Sequence, residues 1–289
     1  MLSSTSECER PRTELEAEVA NKDALSATGS LRLHWPEYLM EAGEAGFYLF
    51  SACAFATLLW HPASPIQRYL SGDSVRRMLM GLAMGGTIIA IVLSPWGKQS
   101  GAHFNPALTL AFYRLRKMAF WDAIFYCTAQ FFGAVTGVAL ASVLLDGAPG
   151  HKAVRYAATL PGIYGVTIAL VAELTISFIL MSAILLALTH ESLEPYTHYV
   201  AAVLVATYIA FESPLSGMST NPARTFGPAF FAGYWHALWV YFIAPPLGML
   251  AAAQVRLARG RKGPYCAKLH HHNDKRCIFR HSGPPRSAF

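Results

Sequence analysis

The tripeptide Asn-Pro-Ala occurs twice, at Asn105-Pro106-Ala107 and at Asn221-Pro222-Ala223, each time within sequence apolar enough for a lipid bilayer. Asn is a favoured helix N-cap and Pro suits the first helical turn, so each copy predicts the start of a helix. Hydrocarbon tolerates such an interruption only where protein buries the irregular backbone or where it lines a water-filled cavity. Two helix starts of this kind must therefore be buried inside the protein or placed beside an aqueous path.

Charge placement identifies the membrane. Hydrophobic residues make up 54% of the 289-residue chain and charged ones 14%. The charges crowd into the first 37 residues, a few connections and the last 34, whereas a soluble helical protein carries them along its helices. The net charge of +6 lies mostly at segment ends and in the tail, which fits membrane topology and not nucleic-acid binding. Five scattered cysteines (8, 53, 127, 266 and 277) form no disulfide framework. Residues 1–30 are polar and acidic, the reverse of a signal peptide, and are expected to be a mobile extension.

Six runs are long enough to span, at roughly 38–60, 76–95, 119–145, 164–189, 197–213 and 235–257. Each Asn-Pro-Ala falls in a semi-apolar connection, 96–118 or 214–234. The expected fold is thus an all-α membrane protein of six transmembrane helices plus two re-entrant half-helices. A polar extension (1–37) precedes a channel domain (38–258) with halves of about 38–150 and 160–258, and a basic tail (259–289) follows. Three spans per half set the halves in opposite orientations, an inverted repeat with its working site at the midplane. Lys and Arg number sixteen against five if both termini lie inside, so cytoplasmic termini are expected.

Intramembrane polar groups suggest roles. Asn105 and Asn221 would face each other across the pseudo-twofold, each presenting amide N–H to a lumen. Two half-helix N-termini meeting there repel cations, hydronium included. Arg224, next to the second motif, either lines the lumen or pairs with Glu212 or carbonyls. Glu41 and Glu173, each near the start of a span, are expected to accept backbone N–H bonds from the re-entrant loops, with Gln130 assisting. Glu44 is read as scaffolding too. His103 is either a hydrogen-bonded structural residue or a pH-sensitive gate.

The stretches Ser100-Gly101-Ala102-His103-Phe104-Asn105-Pro106-Ala107-Leu108-Thr109 and Gly217-Met218-Ser219-Thr220-Asn221-Pro222-Ala223-Arg224-Thr225-Phe226-Gly227 resemble the major intrinsic protein family, the aquaporins and glycerol facilitators. The chain looks like a bacterial-type member. The resemblance covers about 38–257 and implies a homotetramer in the cell membrane, with one pore per subunit. It also implies passive passage of water or small neutral solutes, with no covalent chemistry. The half-helix dipole argument is already the standing account of aquaporin-type pores. By position the family's constriction falls on Arg224, Met218 and Ile209, and on either Gly85 or Met80 in the second span. That ring lacks the His of many water-selective members and looks broader and more apolar. Thr225, Ala229 and the Tyr241-Phe242 pair look water-channel-like. Water is the expected solute, with glycerol, ammonia or peroxide open.

The tail carries Cys266 with His270 and Cys277 with His281, two Cys-x3-His pairs able to form a tetrahedral zinc or copper(I) site. The other reading is a disordered His-rich tail without cofactor. Rival functions are a secondary carrier, which would need titratable groups at the midplane, a membrane enzyme, which would need a nucleophile or metal cluster, and a scaffold with a closed pore.

Overall fold

The computed structural model describes residues 26–70, 72–261 and 263–282. Residues 1–25, which hold Cys8 and most of the acidic extension, lie outside them. Eight principal helices follow in order: α1 (Ala27–Trp60), α2 (Asp73–Leu93), α3 (Pro106–Arg114), α4 (Phe120–Leu144), α5 (Gly165–Thr189), α6 (Thr197–Thr207), α7 (Pro222–Ala232) and α8 (Leu238–Ala258). Six candidate spans result, because α6 runs on through a π-helical turn, Tyr208–Glu212, and a short helix, Ser213–Ser216. The α3 and α7 segments are the two half-helices.

The first helix starts eleven residues before the expected 38, which corrects the boundary of the polar extension. Ser26 caps it by accepting the Gly29 N–H at 3.2 Å. Ser30, His34, Glu37 and Tyr38 recur at helical spacing and are buried. Asp122 at the start of α4 takes His34 Nδ1 at 2.8 Å and the Tyr38 hydroxyl at 2.6 Å. The polar composition of this turn reflects buried partners, not solvent.

The halves repeat one packing scheme. Helix α1 packs most extensively on α4, and α5 on α8. Close approach explains the first pair: a Cβ at Gly133 would lie 2.0 Å from the Ala42 carbonyl oxygen, and one at Gly137 2.1 Å from that of Gly46. Small residues let backbones meet where lipid supplies no hydrophobic drive between helices. Each half-helix then rests mainly on a span of the other half, α3 on α8 and α7 on α4. The two halves therefore interlock around the half-helix tips.

Candidate functional site

Two buried carboxylates hang the re-entrant loops. Glu41 on α1 accepts the backbone N–H groups of His103 at 2.8 Å and Phe104 at 2.7 Å. Glu173 on α5 accepts those of Ser219 at 2.6 Å and Thr220 at 2.8 Å. The Gln130 amide donates to Glu41 at 2.7 Å and to Thr109 Oγ1 at 3.0 Å. Each loop repeats further details. Ser100 and Ser216 accept Ala102 N–H and Met218 N–H, and donate to Glu44 and Glu173 respectively. Tyr126 and Tyr241 donate to the Ser100 and Ser216 carbonyls, a matched pair, one from each half. Gly101 (φ 97°) and Gly217 (φ 82°) supply the left-handed turn that reverses each loop. Ala102, Phe104, Met218 and Thr220 also hold positive φ, strain that the carboxylate anchors offset.

At the tips, each Asn caps its own half-helix and reaches the other loop. Asn105 Oδ1 accepts Ala107 N–H at 2.9 Å, and Asn221 Oδ1 accepts Ala223 N–H at 3.0 Å and Arg224 N–H at 3.2 Å. The Asn105 amide donates to the Thr220 carbonyl at 2.9 Å, and the Asn221 amide donates to the Phe104 carbonyl at 2.8 Å. An amide has two N–H donors, so each Asn keeps one beyond this bond. Pro106 and Pro222 occupy the first turn and Ala107 and Ala223 follow, all four buried.

A cavity of about 320 Å³ opens beside the second loop, lined by Tyr48, Trp60, Arg77, Met80, Ile209 and Arg224 among others. The Arg224 guanidinium donates to the Ala157 carbonyl at 3.1 Å, which fixes it at the cavity wall with a carbonyl partner and not with Glu212. Ile209 arrives on the π-helical turn. Of the two second-span candidates, Met80 lines the cavity and Gly85 does not. A Cβ on Gly85 would sit 3.1 Å from the Ala202 carbonyl oxygen, so Gly85 serves helix packing against α6. Met218 is 1% exposed, and Gly217 represents its loop in the lining. Tyr48, Trp60, Arg77 and Met84 also line the cavity and were not singled out by sequence. They lie far from either motif in sequence, although Tyr48 packs on Phe104 with ring centroids 5.5 Å apart.

Both His103 ring nitrogens have partners. Its Nδ1 meets Thr109 Oγ1 at 3.1 Å and its Nε2 the Ala267 carbonyl at 2.8 Å. Its ring stacks between Phe112 and Phe279, with centroids 4.9 Å and 5.4 Å away. Two of these partners, Ala267 and Phe279, come from the tail. Leu269 N–H donates to the Gly101 carbonyl at 3.2 Å, and Arg280 N–H to that of Lys117 at 3.0 Å. The Cys/His set departs from expectation at one position. His271 Nδ1, not a His270 nitrogen, lies 3.1 Å from Cys266 Sγ, while His270 turns edge-on to His198 with centroids 5.3 Å apart. His281 Nε2 lies 3.1 Å from Cys277 Sγ, as the second pair requires.

Comparison with known proteins agrees with this architecture. The family model described as major intrinsic protein matches residues 30–256. "Aquaporin NIP1-1" of Oryza sativa subsp. japonica is 32% identical over 169 residues, 58% of each chain. "Probable aquaporin NIP-type" of Nicotiana alata is 34% identical over 172 residues, 59% of this chain and 62% of that one. "Nodulin-26" of Glycine max is 30% identical over 172 residues, 59% of this chain and 61% of its own. The matches thus span about three fifths of these relatives' length. All three come from plants, which leaves the bacterial-type expectation at the level of the family. The solved structure of an aquaglyceroporin from Plasmodium falciparum superposes with a TM-score of 0.64 at 22% identity, covering 77% of this chain and 95% of that one. That likeness concerns the fold.

Proposed function

Because the chain belongs to the major intrinsic protein family, whose members are membrane channels and not enzymes, we propose that it conducts water passively through one pore per subunit. The observation that carries this reading is the reciprocal pair of Asn bonds, which joins two half-helix N-termini tip to tip. Each N-terminus bears about +0.5 elementary charge, so the junction opposes cations while the remaining amide N–H groups donate to a passing oxygen. Arg224 adds a fixed charge at the cavity wall. Glu41 and Glu173 are committed to loop N–H groups, which argues against an ion-coupled carrier.

Met80 and Ile209 give the cavity an apolar portion of wall, and its lining holds no imidazole donor, which favours passage of small neutral solutes such as glycerol, ammonia or peroxide alongside water. The apolar outer faces, Phe132, Val143 and Val203 among them, suit lipid and the neighbouring subunits of a homotetramer. The same reading puts the protein in the cell membrane with both termini in the cytoplasm. Reconstitution into vesicles and light scattering under an osmotic step tests it. Shrinkage faster than in empty liposomes, without a matching rise in proton leak, is expected; permeability equal to empty liposomes in both water and glycerol gradients refutes the channel.

A further inference from the structure

The tail contains a cluster that the pore does not use. Cys266 Sγ, His271 Nδ1 and Cys277 Sγ all lie within 4.8 Å of one another, and His281 Nε2 sits 3.1 Å from Cys277 Sγ. Three donors thus converge, and a fourth, His281, adjoins them through Cys277, all from one loop of chain. A tetrahedral Zn²⁺ with bonds of about 2.3 Å to sulfur and about 2.0 Å to nitrogen needs adjacent S and N donors roughly 3.5 Å apart. The two S···N distances of 3.1 Å need to open by a few tenths of an ångström, and the wider separations in the cluster, within 4.8 Å, need to close by about an ångström at most, which side-chain rotation supplies.

The frame around the cluster is already fixed. Ser282 N–H donates to the Tyr265 carbonyl at 3.0 Å and closes the loop that contains all four donors. Tyr265 stacks on His281 with centroids 4.8 Å apart and also contacts His271. Lys268, 1% exposed, donates to the carbonyls of Lys98, Lys275 and Arg276, tying the loop to the chain that precedes the first motif. Ala267, Leu269 and Phe279 then contact His103 and Gly101. The loop also buries Ala267, Leu269, Ile278 and Phe279 in the main core, so the frame that presents the four donors is held in place by packing as well as by hydrogen bonds.

We propose that Cys266, His271, Cys277 and His281 form a structural Zn²⁺ site that locks the tail against the first re-entrant loop. An S2N2 tetrahedron is a zinc geometry, and a site with four protein ligands leaves no open position for catalysis. The metal replaces the thiol protons, and the folded loop then braces Gly101 and His103, four and two residues before Asn105.

The test uses the full-length protein carrying a tag without histidines, purified and measured by elemental analysis. About one zinc per chain is expected in the wild type and in His270→Ala, and a small fraction of that in His271→Ala and Cys277→Ser. Gel filtration of each variant separates lost metal from lost fold. Cobalt(II) exchanged into the wild type provides a second reading that does not depend on how the variants fold: intense visible bands of a tetrahedral thiolate site are expected. The proposal is overturned by metal-free wild type whose spectrum stays blank with cobalt, by copper in place of zinc, by a Cys266–Cys277 disulfide, or by zinc that survives Cys277→Ser but not His270→Ala.

Discussion

Replacing Glu173 by Gln tests the loop-anchoring scheme most directly. Three donors converge on the carboxylate, Ser216 Oγ and Ser219 N–H on Oε1 and Thr220 N–H on Oε2. The amide keeps one oxygen and puts an NH2 group where the other was. Set on the Oε1 side, that oxygen preserves two bonds, which fall from charge-assisted to neutral strength at about 1 kcal/mol each. The Thr220 N–H loses its acceptor and faces another donor, at a further 1–3 kcal/mol or so. The sum is roughly 3–5 kcal/mol. At about 2–4 °C per kcal/mol for a domain of this size, the melting midpoint falls by on the order of 10 °C. Thermal unfolding in detergent, followed by gel filtration, reads this, and the yield of folded protein falls with it. Water permeability per correctly folded molecule stays near wild type, because Glu173 does not line the cavity. A midpoint shift below about 2 °C refutes the scheme. It would mean that the carboxyl carries a proton and that an amide substitutes for it without loss.

Further expectations concern the pore wall and the packing. Arg224→Val removes the fixed charge beside the cavity, so proton leak in pH-gradient vesicles should rise several-fold; an unchanged leak places the barrier wholly at the half-helix tips. Ile209→His narrows the wall opposite Arg224, and glycerol flux should drop more than water flux, whereas equal losses would indicate general distortion. Gly137→Leu forces a side chain against the Gly46 carbonyl, where even a Cβ would lie at 2.1 Å, so the α1–α4 contact should fail and folded yield collapse. Water permeability should stay flat from about pH 6 to 8, since both His103 nitrogens are already engaged; a sigmoidal step that His103→Asn abolishes would restore the gate.

Much of the site was legible because its parts are local and duplicated. The Asn-Pro-Ala copies announce their caps, and a lone carboxylate near the start of a span has few physical reasons to exist other than loop anchoring. What was not legible depends on tertiary placement. Residues 27–37 read as a polar extension because Arg32, His34 and Glu37 hide a buried stripe whose partner, Asp122, lies on α4. Met80 and Gly85 were undecided because the chain carries extra residues around Ser94–Lys98, where the short helix Pro95–Ser100 has six residues and its counterpart Ser213–Ser216 four. Adjacent histidines 270 and 271 present the same problem at finer scale, since only the path of the loop decides which ring meets Cys266. Tyr48, Trp60 and Arg77 enter the cavity from helices with no motif to mark them.

The contact between the tail and the first loop bears on the order in which the protein is made. The Ala267 carbonyl that satisfies His103 is separated from it by 164 residues of chain. When the ribosome has delivered the first Asn-Pro-Ala loop, neither this acceptor nor the Thr220 carbonyl for Asn105 yet exists. The first half must therefore wait in the membrane with its loop half-finished, held by its own Glu41, Glu44, Gln130 and Tyr126. Closure of the earliest element is a late event in biogenesis, and defects translated far downstream surface as failures of a segment inserted long before.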